Sequence, residues 1–383
     1  MESKINEIFP IFVHQKPNKL QMRLNSISIL NYKNIVQADL EFPAKINCFV
    51  GNNGMGKTNL LDAIYYLSFC KSHSNPVDRQ NINHDADFLM IQGRYTLREN
   101  DEEIYCGIKR RQKKQFKRNK KEYDRLADHI GLLPLVLVSP KDDKLIAEGS
   151  DERRKFMDGV ISQYNNRYLN ALLHYNHALK QRNALLKDET ITDTTLFEVW
   201  EEQMAKHGNY IYGERKGFVE RFIPMFQEIY SFISEDQEQV GLVYKSQLDD
   251  ADLAEKLVRN RERDRIIGFS TNGIHKDDLE MTLAEHPMKR VGSQGQNKTY
   301  LISLKLAQFN FLKQTHGVKP ILLLDDIFDK LDEKRVTKIV ELVAGNDFGQ
   351  IFISDTNSKH WEQILPKIGQ SSQIFKVVDG EIE

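Results

Sequence analysis

The chain has 383 residues, with 54 Lys and Arg against 55 Asp and Glu and a net charge of −1 at pH 7. This balance excludes a globally basic nucleic-acid coat protein, so any basic surface must be local. Three scattered cysteines do not indicate a disulfide framework or a thiolate zinc site, and no apolar run approaches the ~18 to 20 residues that span a bilayer. We therefore expect a cytoplasmic protein outside the membrane, with two domains or one domain that carries a large insertion.

The N-terminal part predicts paired strands, followed by a strand, a glycine loop and a helix. Residues 1–21 lack the uninterrupted apolar core of a secretory signal, and we expect them to form an extension ahead of the fold. Short apolar alternation at 24–42 predicts a β-hairpin. The apolar run at 46–50 predicts a buried strand that leads into a glycine-rich loop, and the apolar spacing at 60–67 predicts a helix.

Further strands are predicted at 89–125, and they include a strongly basic segment. Nine basic residues and no acidic one fall within 109–121, with Phe116 among them. A turn near 112–115 would make this segment a hairpin. Its side chains either line a DNA groove or form a solvated, charge-rich surface, and the residues alone do not decide between these two interpretations. The basic residues are Lys109, Arg110, Arg111, Lys113, Lys114, Lys117, Arg118, Lys120 and Lys121.

The middle of the chain predicts a mainly helical lobe, and the C-terminal part predicts parallel strands. Helical spacing of apolar residues runs from 151 to about 187 and resumes at Thr195. A later helix, an interior strand at 320–326 and another strand at 350–354 form a βαβ pattern. We divide the chain into an extension at 1–21, the first part of an α/β head at 22–154, an inserted helical lobe at 155–265 and the second part of the head at 266–383.

The loop after the strand at 46–50 has the residues of a nucleotide-binding P-loop. It matches G-x-x-x-x-G-K-[ST] at every fixed position, between a predicted strand and a predicted helix, as this motif requires. Its backbone N–H groups would surround phosphate oxygens, Lys57 would reach the β- and γ-phosphates, and the Thr58 hydroxyl would bind Mg²⁺. The predicted nucleotide-binding residues of the loop are Gly51, Asn52, Asn53, Gly54, Met55, Gly56, Lys57 and Thr58.

Two adjacent aspartates end the predicted interior strand. Asp325 and Asp326 follow a run of apolar residues, so the strand brings both carboxylates to its carboxyl end, where α/β sheets bind their ligands. We expect Asp325 to bind Mg²⁺ together with Thr58, and Asp326 to act with Lys57 in catalysis by orienting the attacking water. The long separation between Lys57 and Asp325 predicts a large insertion within the nucleotide-binding core.

A third motif distinguishes among the classes of P-loop protein. Ser293, Gly295 and Gln296 belong to an S-x-G-Q sequence before the helix that precedes the Asp-Asp strand, where an ATP-binding-cassette signature belongs. By itself this sequence is more often a polar loop, but its position between the other two motifs favours the signature. A hydroxyl and N–H groups at a helix N-terminus bind anions, so we expect these residues to contact the γ-phosphate of ATP on a second subunit.

Three smaller features refine this assignment. Leu331 and Asp332 match the loop that crosses the dimer interface in cassette ATPases. Ser354 begins a Ser-Asp-Thr sequence where many cassettes have a histidine, which argues against a transporter motor. The glutamine that faces the γ-phosphate in cassette proteins has no obvious counterpart, and residues 139–143 are the candidate region for it.

Further motifs lie at 71–73, 149–158, 181–187, 200–203 and 273–279. Together with the nucleotide-binding motifs, they resemble the RecF family, bacterial recombination-repair ATPases related to SMC-type heads. The resemblance runs from about Met22 to the C-terminus. In the motif at 273–279, Ile274 and Lys276 stand where the family usually has proline and arginine.

The resemblance implies an α/β fold of the ABC/SMC type, a P-loop ATPase head assembled from the N- and C-terminal parts of the chain, which forms a homodimer on binding ATP. It also implies a DNA-binding protein of recombinational repair, replication and the SOS response to DNA damage. Two heads would clamp DNA at gaps or single-strand/duplex junctions and help to load RecA together with RecR and RecO. Asp326 is shorter than the usual glutamate, so we expect slow, DNA-stimulated hydrolysis that acts as a switch. The alternatives are a nucleotide-sensing DNA scaffold in which hydrolysis is dispensable, or another SMC-like ATPase.

Overall fold

The structure is a computed structural model that describes residues 21–188, 190, 193–235, 238–250, 252–328, 331, 333–356 and 358–382. Residues 1–20 of the predicted extension and Asp332 of the predicted interface loop lie outside the described residues. The strands are β1 (Met22–Tyr32), β2 (Ile35–Glu41), β3 (Ile46–Val50), β4 (Phe88–Leu97), β5 (Asn100–Lys109), β6 (Gln115–Arg118), β7 (Lys121–Glu122), β8 (Leu135–Val138), β9 (Val240–Lys245), β10 (Asp278–Leu283), β11 (His286–Pro287), β12 (Ile321–Asp325), β13 (Ile351–Asp355), β14 (Ser372–Val378) and β15 (Glu381–Ile382). The helices are α1 (Lys57–Phe69), α2 (Lys144–Ala147), α3 (Ser150–Tyr164), α4 (Asn166–Lys187), α5 (Thr195–Ser234), α6 (Leu253–Arg259), α7 (Arg261–Ile267), α8 (Met288–Val291), α9 (Gln294–His316), α10 (Glu333–Ala344) and α11 (Ser358–Ile368).

An antiparallel sheet forms one layer of the head. Its six strands follow the order β2-β1-β4-β5-β6-β7. Buried side chains of β1, β4 and β5 share a hydrophobic core with α1, which explains the apolar alternation that the sequence shows in this part of the chain. The basic segment forms the β5–β6 hairpin at the far side of this sheet, and β7 extends it.

A mostly parallel sheet forms the other layer and carries the P-loop. Its six strands follow the order β15-β14-β3-β13-β12-β8, and only the terminal hairpin strand β15 runs antiparallel to its neighbour. Strands β3, β8, β12 and β13 are buried along their whole length, which accounts for their mainly apolar sequences. Because β3 lies between β13 and β14, the α/β head is assembled from both ends of the chain, as predicted.

The inserted lobe is built on the long helices α4 and α5 and on a small sheet. Helix α5 has 40 residues and contains Pro224. Strand β9 pairs with β10 and β10 with β11, so the sheet continues past the division that the sequence suggests at residue 265. Strand β10 alternates buried and half-buried residues, but such alternation does not identify the strand with which it pairs. Within the described residues, no helix combines the length and the apolar character needed to cross a bilayer.

Two buried arginines hold the lobe together and explain four of the family motifs. Arg215 of α5 forms ion pairs with Asp158 of α3 and with Asp277 before β10, both at 2.8 Å. Such pairs are costly to break, because removing one partner leaves a buried charge uncompensated. The second set is Arg182 with Glu201 at 3.0 Å and with Asp264 at 2.7 Å. The motifs at 149–158, 181–187, 200–203 and 273–279 therefore contribute buried ion pairs to the lobe.

Candidate functional site

The P-loop follows β3 directly and depends on glycine at three positions. Gly54 and Gly56 have φ angles of 85° and 114°, in the left-handed region that side chains disfavour. At Gly51, a Cβ atom would lie 2.2 Å from the carbonyl oxygen of Val377 in β14. The loop is thus fitted between its own helix and the C-terminal strand, with the Gly51 N–H donating to the carbonyl of Asp355 at 3.3 Å.

Lys57 begins α1, and its ammonium group lies inside the loop. The Nζ atom donates to the carbonyl oxygens of Gly51 and Asn52, each at 2.7 Å. Burial lowers the pKa of Lys57, while the carboxylates of Asp326 and Asp325 oppose that shift. An ammonium group that donates to neutral carbonyl oxygens can donate more strongly to charged phosphate oxygens.

Thr58 and Asp325 come together at the carboxyl edge of the parallel sheet. The Thr58 hydroxyl donates to Asp325 Oδ1 at 2.8 Å, although the two residues are far apart in sequence. Burial raises the pKa of Asp325, and hydrogen bonds from Ser354 and Thr58 act against this rise. One hydroxyl and one carboxylate are oxygen ligands of the kind that Mg²⁺ uses beside nucleotide phosphates. Among the described residues no group of three or more His, Cys, Asp or Glu side chains forms a separate metal site.

Asp326 follows β12 in a left-handed conformation, with a φ angle of 49°. Its N–H donates to the carbonyl and the hydroxyl oxygens of Ser354, at 3.2 and 3.1 Å. The residue lines a cavity of about 390 Å³ whose wall includes Gln294 of α9 and residues 139, 140, 142 and 143. The candidate region for the γ-phosphate-facing residue therefore lies next to Asp326, at the end of the neighbouring strand β8.

The signature sequence forms the N-terminus of α9. Ser293 is the N-cap: its hydroxyl accepts from the N–H of Gln296 at 3.2 Å, while the Gln296 side chain accepts from the N–H of Ser293 at 2.8 Å. Gln296 also donates to Glu238 at 2.7 Å. Ser293 is exposed and Gly295 is half-buried, and in the described part of the chain neither hydrogen-bonds to Lys57 or Thr58. This arrangement leaves the end of the helix open to a second molecule.

The basic hairpin divides into side chains that face solvent and side chains bound within the fold. Lys114 forms an ion pair with Asp78 at 2.8 Å and donates to the carbonyl of Cys70 at 2.7 Å. Arg118 makes a bidentate pair with Glu102, at 2.5 and 2.8 Å. Lys117 is half-buried, and Arg110 is exposed although its guanidinium donates to backbone carbonyls. The remaining exposed members are Lys109, Arg111, Lys113, Lys120 and Lys121.

Residues of the β1–β2 turn support the P-loop, and the sequence analysis did not identify them. Asn34 accepts a hydrogen bond from the side chain of Asn59 at 2.7 Å, and its amide lies 3.0 Å from the position of a Cβ on Gly56. Asp62 of α1 accepts from Tyr32 at 2.8 Å and also binds the Lys33 ammonium. The β-hairpin predicted at 24–42 contains this turn, but the sequence carried no signal for the contact between the turn and the P-loop.

Asp62 also accounts for the family motif at 71–73. Its carboxylate accepts from the hydroxyl of Ser72 at 2.6 Å and from the N–H of His73 at 2.7 Å. Burial acts to raise the pKa of Asp62, but the charge of Lys33 and the hydrogen bonds from Lys33, Ser72 and Tyr32 lower that pKa below its usual value. The motif thus fastens the segment after α1 to the helix that carries Lys57 and Thr58.

Comparison with known proteins relates nearly the full length of the chain to a single family. The family model described as the RecF/RecN/SMC N terminal domain matches residues 23–381. A protein from Bacteroides thetaiotaomicron named DNA replication and repair protein RecF is 62% identical over 362 residues, which cover 94% of this chain and 98% of that protein. A protein of the same name from Flavobacterium johnsoniae is 50% identical over 360 residues, covering 93% of this chain and 100% of that protein.

Solved structures give the same result. A structure described as the recombination mediator protein RecF with ATP, in the RecFOR pathway, has a TM-score of 0.86 and 27% identity, and the match covers 97% of this chain and 99% of that one. An Smc head domain from Pyrococcus furiosus matches with a TM-score of 0.56 and 16% identity, over 95% of this chain and 96% of that one. The Smc likeness concerns the fold alone.

Proposed function

The chain belongs to the RecF/RecN/SMC family, as one of its RecF proteins of DNA replication and repair, and on this premise we propose how its site works. ATP binds in the P-loop of each of two copies, and the two heads close on the nucleotides between them. Closure brings the basic hairpins into one DNA-binding surface. The observation that carries the proposal is the capped N-terminus of α9, where Ser293 is exposed and makes no hydrogen bond to Lys57 or Thr58 in the described part of its own chain.

ATP binding is supported by the P-loop geometry and by the RecF relative solved with ATP. The N–H groups of 52–56 and the ammonium of Lys57 bind the phosphate chain, and Thr58 with Asp325 holds Mg²⁺. The metal, when bound, would offset the negative charge of the β- and γ-phosphates. Lys57 would exchange its carbonyl partners in the loop for phosphate oxygens, which accept more strongly because they are charged.

Dimer closure is supported by the chemistry of the helix end. Ser293 and Gly295 present a hydroxyl and backbone N–H groups at the positive end of α9, a favourable site for a γ-phosphate. A γ-phosphate bound by Lys57 of one subunit and by Ser293 of the other would make ATP part of the interface. ATP would then favour the closed dimer by its differential affinity for the closed and open states.

Hydrolysis reopens the dimer in this proposal. Asp326 orients the attacking water, and its backbone is held by Ser354 of the neighbouring strand. The aspartate is one methylene shorter than a glutamate, so its reach towards the water is smaller and turnover is slow. DNA between the two heads would stabilise the closed state in which the site is complete, and hydrolysis would rise with DNA.

DNA contacts are assigned to the exposed side of the basic hairpin. The side chains around the β5–β6 turn and those around the β6–β7 turn stand at opposite ends of β6, which has 4 residues and spans about 13 Å. This spacing suits phosphates along one DNA backbone. The preferred DNA would be a gap or a single-strand/duplex junction, and RecR and RecO would be the partners in loading RecA.

The first experiment measures binding of a labelled gapped duplex by fluorescence anisotropy, with and without ATP. The native chain is compared with Ser293→Arg, which blocks the N-terminus of α9. The control is Ser372→Arg, which adds the same bulk at the exposed start of β14, on the edge of the parallel sheet opposite the P-loop. We expect ATP to tighten binding at least tenfold for the native chain and for Ser372→Arg, and to have no effect on Ser293→Arg. If ATP leaves the affinity for the gapped duplex unchanged in all three proteins, nucleotide does not control DNA binding and the proposal is wrong.

The variant Asp326→Asn distinguishes this proposal from the alternative, a DNA scaffold that senses nucleotide without needing hydrolysis. The proposal expects this variant to bind DNA with ATP as the native chain does but to release it at least tenfold more slowly after ATP is diluted. Equal release rates would favour the scaffold. Unchanged hydrolysis in this variant would remove Asp326 from the mechanism.

A further inference from the structure

The outer end of the lobe carries an apolar and basic surface that is separate from the nucleotide site. It lies where α6 and α7 meet the start of α5, and we call it the lobe-tip patch. Ile266 is 88% exposed, Val258 58% and Phe269 44%, which is unusual for large apolar side chains. The members of the patch are Val258, Arg259, Arg263, Ile266, Ile267 and Phe269.

A buried polar network fixes the direction in which these side chains point. Asp264 of α7 is fully buried, where it pairs with Arg182 at 2.7 Å and accepts from the N–H of Thr271 at 3.0 Å. Ser270 donates through its N–H and its hydroxyl to Asn183, both at 2.8 Å. Since Asp264 anchors the inner face of the helix, Ile266 on the opposite face is held outward by a rigid support.

Exposed basic side chains at the patch outnumber the exposed carboxylates of Glu255 and Glu262 on the same two helices. Arg259 and Arg263 are exposed, and Arg263 forms no ion pair with any described residue. Lys276 lies over the Phe269 ring at 5.1 Å from its centroid. The carboxylate of Asp264 is engaged by Arg182, so it does not offset these charges at the surface.

We propose that the lobe-tip patch binds an acidic peptide segment of a partner protein, in which carboxylates are interspersed with apolar side chains. Carboxylates suit the guanidinium groups of Arg259 and Arg263, which bind them in a bidentate manner. Apolar side chains of the segment would cover Ile266 and Val258, which gives the contact an attraction that salt does not screen.

A nucleic acid fits this surface less well than such a peptide. Phosphates make no use of aliphatic side chains, and unpaired bases stack on open aromatic faces. Phe269 is the aromatic member of the patch, and the Lys276 ammonium lies over its ring. Charge and apolar surface together therefore favour the peptide.

The position of the patch keeps a bound partner away from the ATP site. Phe197, near the start of α5, lies under the guanidinium groups of Arg261 and Arg265, with 5.7 and 5.8 Å to the ring centroid. Just past the other end of α5, Glu235 pairs with Lys334 and Lys338 of the head helix α10. The 40 residues of α5 extend over about 60 Å, so a segment bound at the tip would tether a partner without touching the nucleotide.

The test uses the full chain and a fluorescein-labelled synthetic peptide in which Leu and Phe are interspersed with Asp and Glu. Two control peptides replace the apolar residues by Ser or the acidic residues by Asn and Gln. We expect the native protein to bind the first peptide at least tenfold more tightly than either control, by fluorescence anisotropy at 50 to 150 mM salt. Absence of binding to the first peptide overturns the proposal, as does equal binding of the Ser peptide.

Variants locate the contact. Ile266→Asp and Arg263→Glu are each expected to weaken peptide binding at least tenfold, with ATP-dependent DNA binding unchanged. Leu173→Asp is the matched control, because Leu173 is 49% exposed on a helix of the same lobe, and it should bind the peptide as the native chain does. If Leu173→Asp weakens binding as much, or if a single-stranded oligonucleotide displaces the peptide from the native chain, the assignment is wrong.

Discussion

The Ser354 hydroxyl donates to Asp325 Oδ1 at 2.6 Å, the same oxygen that accepts from Thr58 at 2.8 Å. Ser354 Oγ also accepts from the N–H of Asp326 at 3.1 Å. One hydroxyl at the end of β13 therefore positions both aspartates at the end of β12, at the place where many cassette ATPases have a histidine. Ser354 thus supports the carboxylate that is proposed to bind Mg²⁺ and the backbone of the residue that is proposed to orient the attacking water.

Ser354→Ala should weaken the hold on Mg²⁺. Loss of a hydrogen bond to a charged group costs about 1.5 to 3 kcal/mol, so we expect the Mg²⁺ concentration for half-maximal ATP hydrolysis to rise about tenfold or more. Ser354→Thr keeps the hydroxyl and should stay within about threefold of the native chain. A Mg²⁺ titration of hydrolysis at fixed ATP decides the matter, and equal midpoints for the native chain and Ser354→Ala would refute the role of Ser354.

Mixing two inactive variants tests whether the signature acts across the dimer. Lys57→Ala and Ser293→Arg should each abolish ATP-dependent dimerisation and hydrolysis. In a mixed dimer, one site combines the intact Lys57 of one chain with the intact Ser293 of the other, so we expect activity to recover partly on mixing. The recovery is measured as ATP hydrolysis against mixing ratio, with a maximum near equal amounts. No recovery at any ratio would mean that Ser293 serves its own subunit.

Neighbouring lysines of the basic hairpin should behave differently. Lys113 is exposed and Lys114 is bound to Asp78 and Cys70, so Lys113→Ala should weaken DNA binding without changing the melting temperature. The slope of log K against log salt should become shallower by about 0.9 for each phosphate that the variant no longer neutralises. Lys114→Ala should instead lower the melting temperature, since it removes the ion pair with the partly buried Asp78 and the hydrogen bond to the carbonyl of Cys70. An unchanged salt slope in Lys113→Ala would remove this residue from the DNA surface.

Two buried histidines should make the protein less stable in mild acid. Burial lowers the pKa of His129 and of His275 from 6.5 to about 4. Below pH 6.5 the unfolded chain therefore binds protons that the folded chain does not bind. The free energy of unfolding has its full value above pH 6.5 and falls as the pH drops towards 4, by up to about 3 kcal/mol for each histidine.

The melting temperature measured across this pH range should therefore decrease as the pH falls. His129→Gln is expected to flatten the decrease, and His84→Gln, at an exposed position, should leave it unchanged. A pH profile of His129→Gln parallel to that of the native chain would contradict the assignment.

The sequence predicted local features of this protein well, because their signals lie in consecutive residues. The strand, glycine loop and helix around Lys57 are specified within one short segment, and the apolar strand that ends at Asp325 is equally self-contained. Chain order also indicated a head built from both ends. These features depend on local periodicity and on the steric demands of glycine.

What the sequence did not predict depends on contacts between distant segments. Nothing near Ser354 indicates that its hydroxyl meets Asp325, and the basic run gives no sign that Lys114 is bound within the fold while Lys113 is free to meet solvent. The pairing of β9 with β10 is likewise invisible to any local pattern. Burial and partner choice are decided by tertiary packing, which composition and spacing do not encode.

The order of strands in the parallel sheet has a consequence for biosynthesis. The P-loop leaves the ribosome early, yet the Gly51 N–H needs the carbonyl of Asp355, and the carbonyl of Met55 accepts from Gly380 at 2.9 Å. The strands that flank β3 are β13 and β14, which are translated long after it. A nascent chain that stops in the lobe lacks both flanking strands, so on the proposed mechanism it would not form the ATP site or pair through nucleotide with a finished molecule. Fragments from interrupted translation would then be excluded from the proposed dimer on DNA.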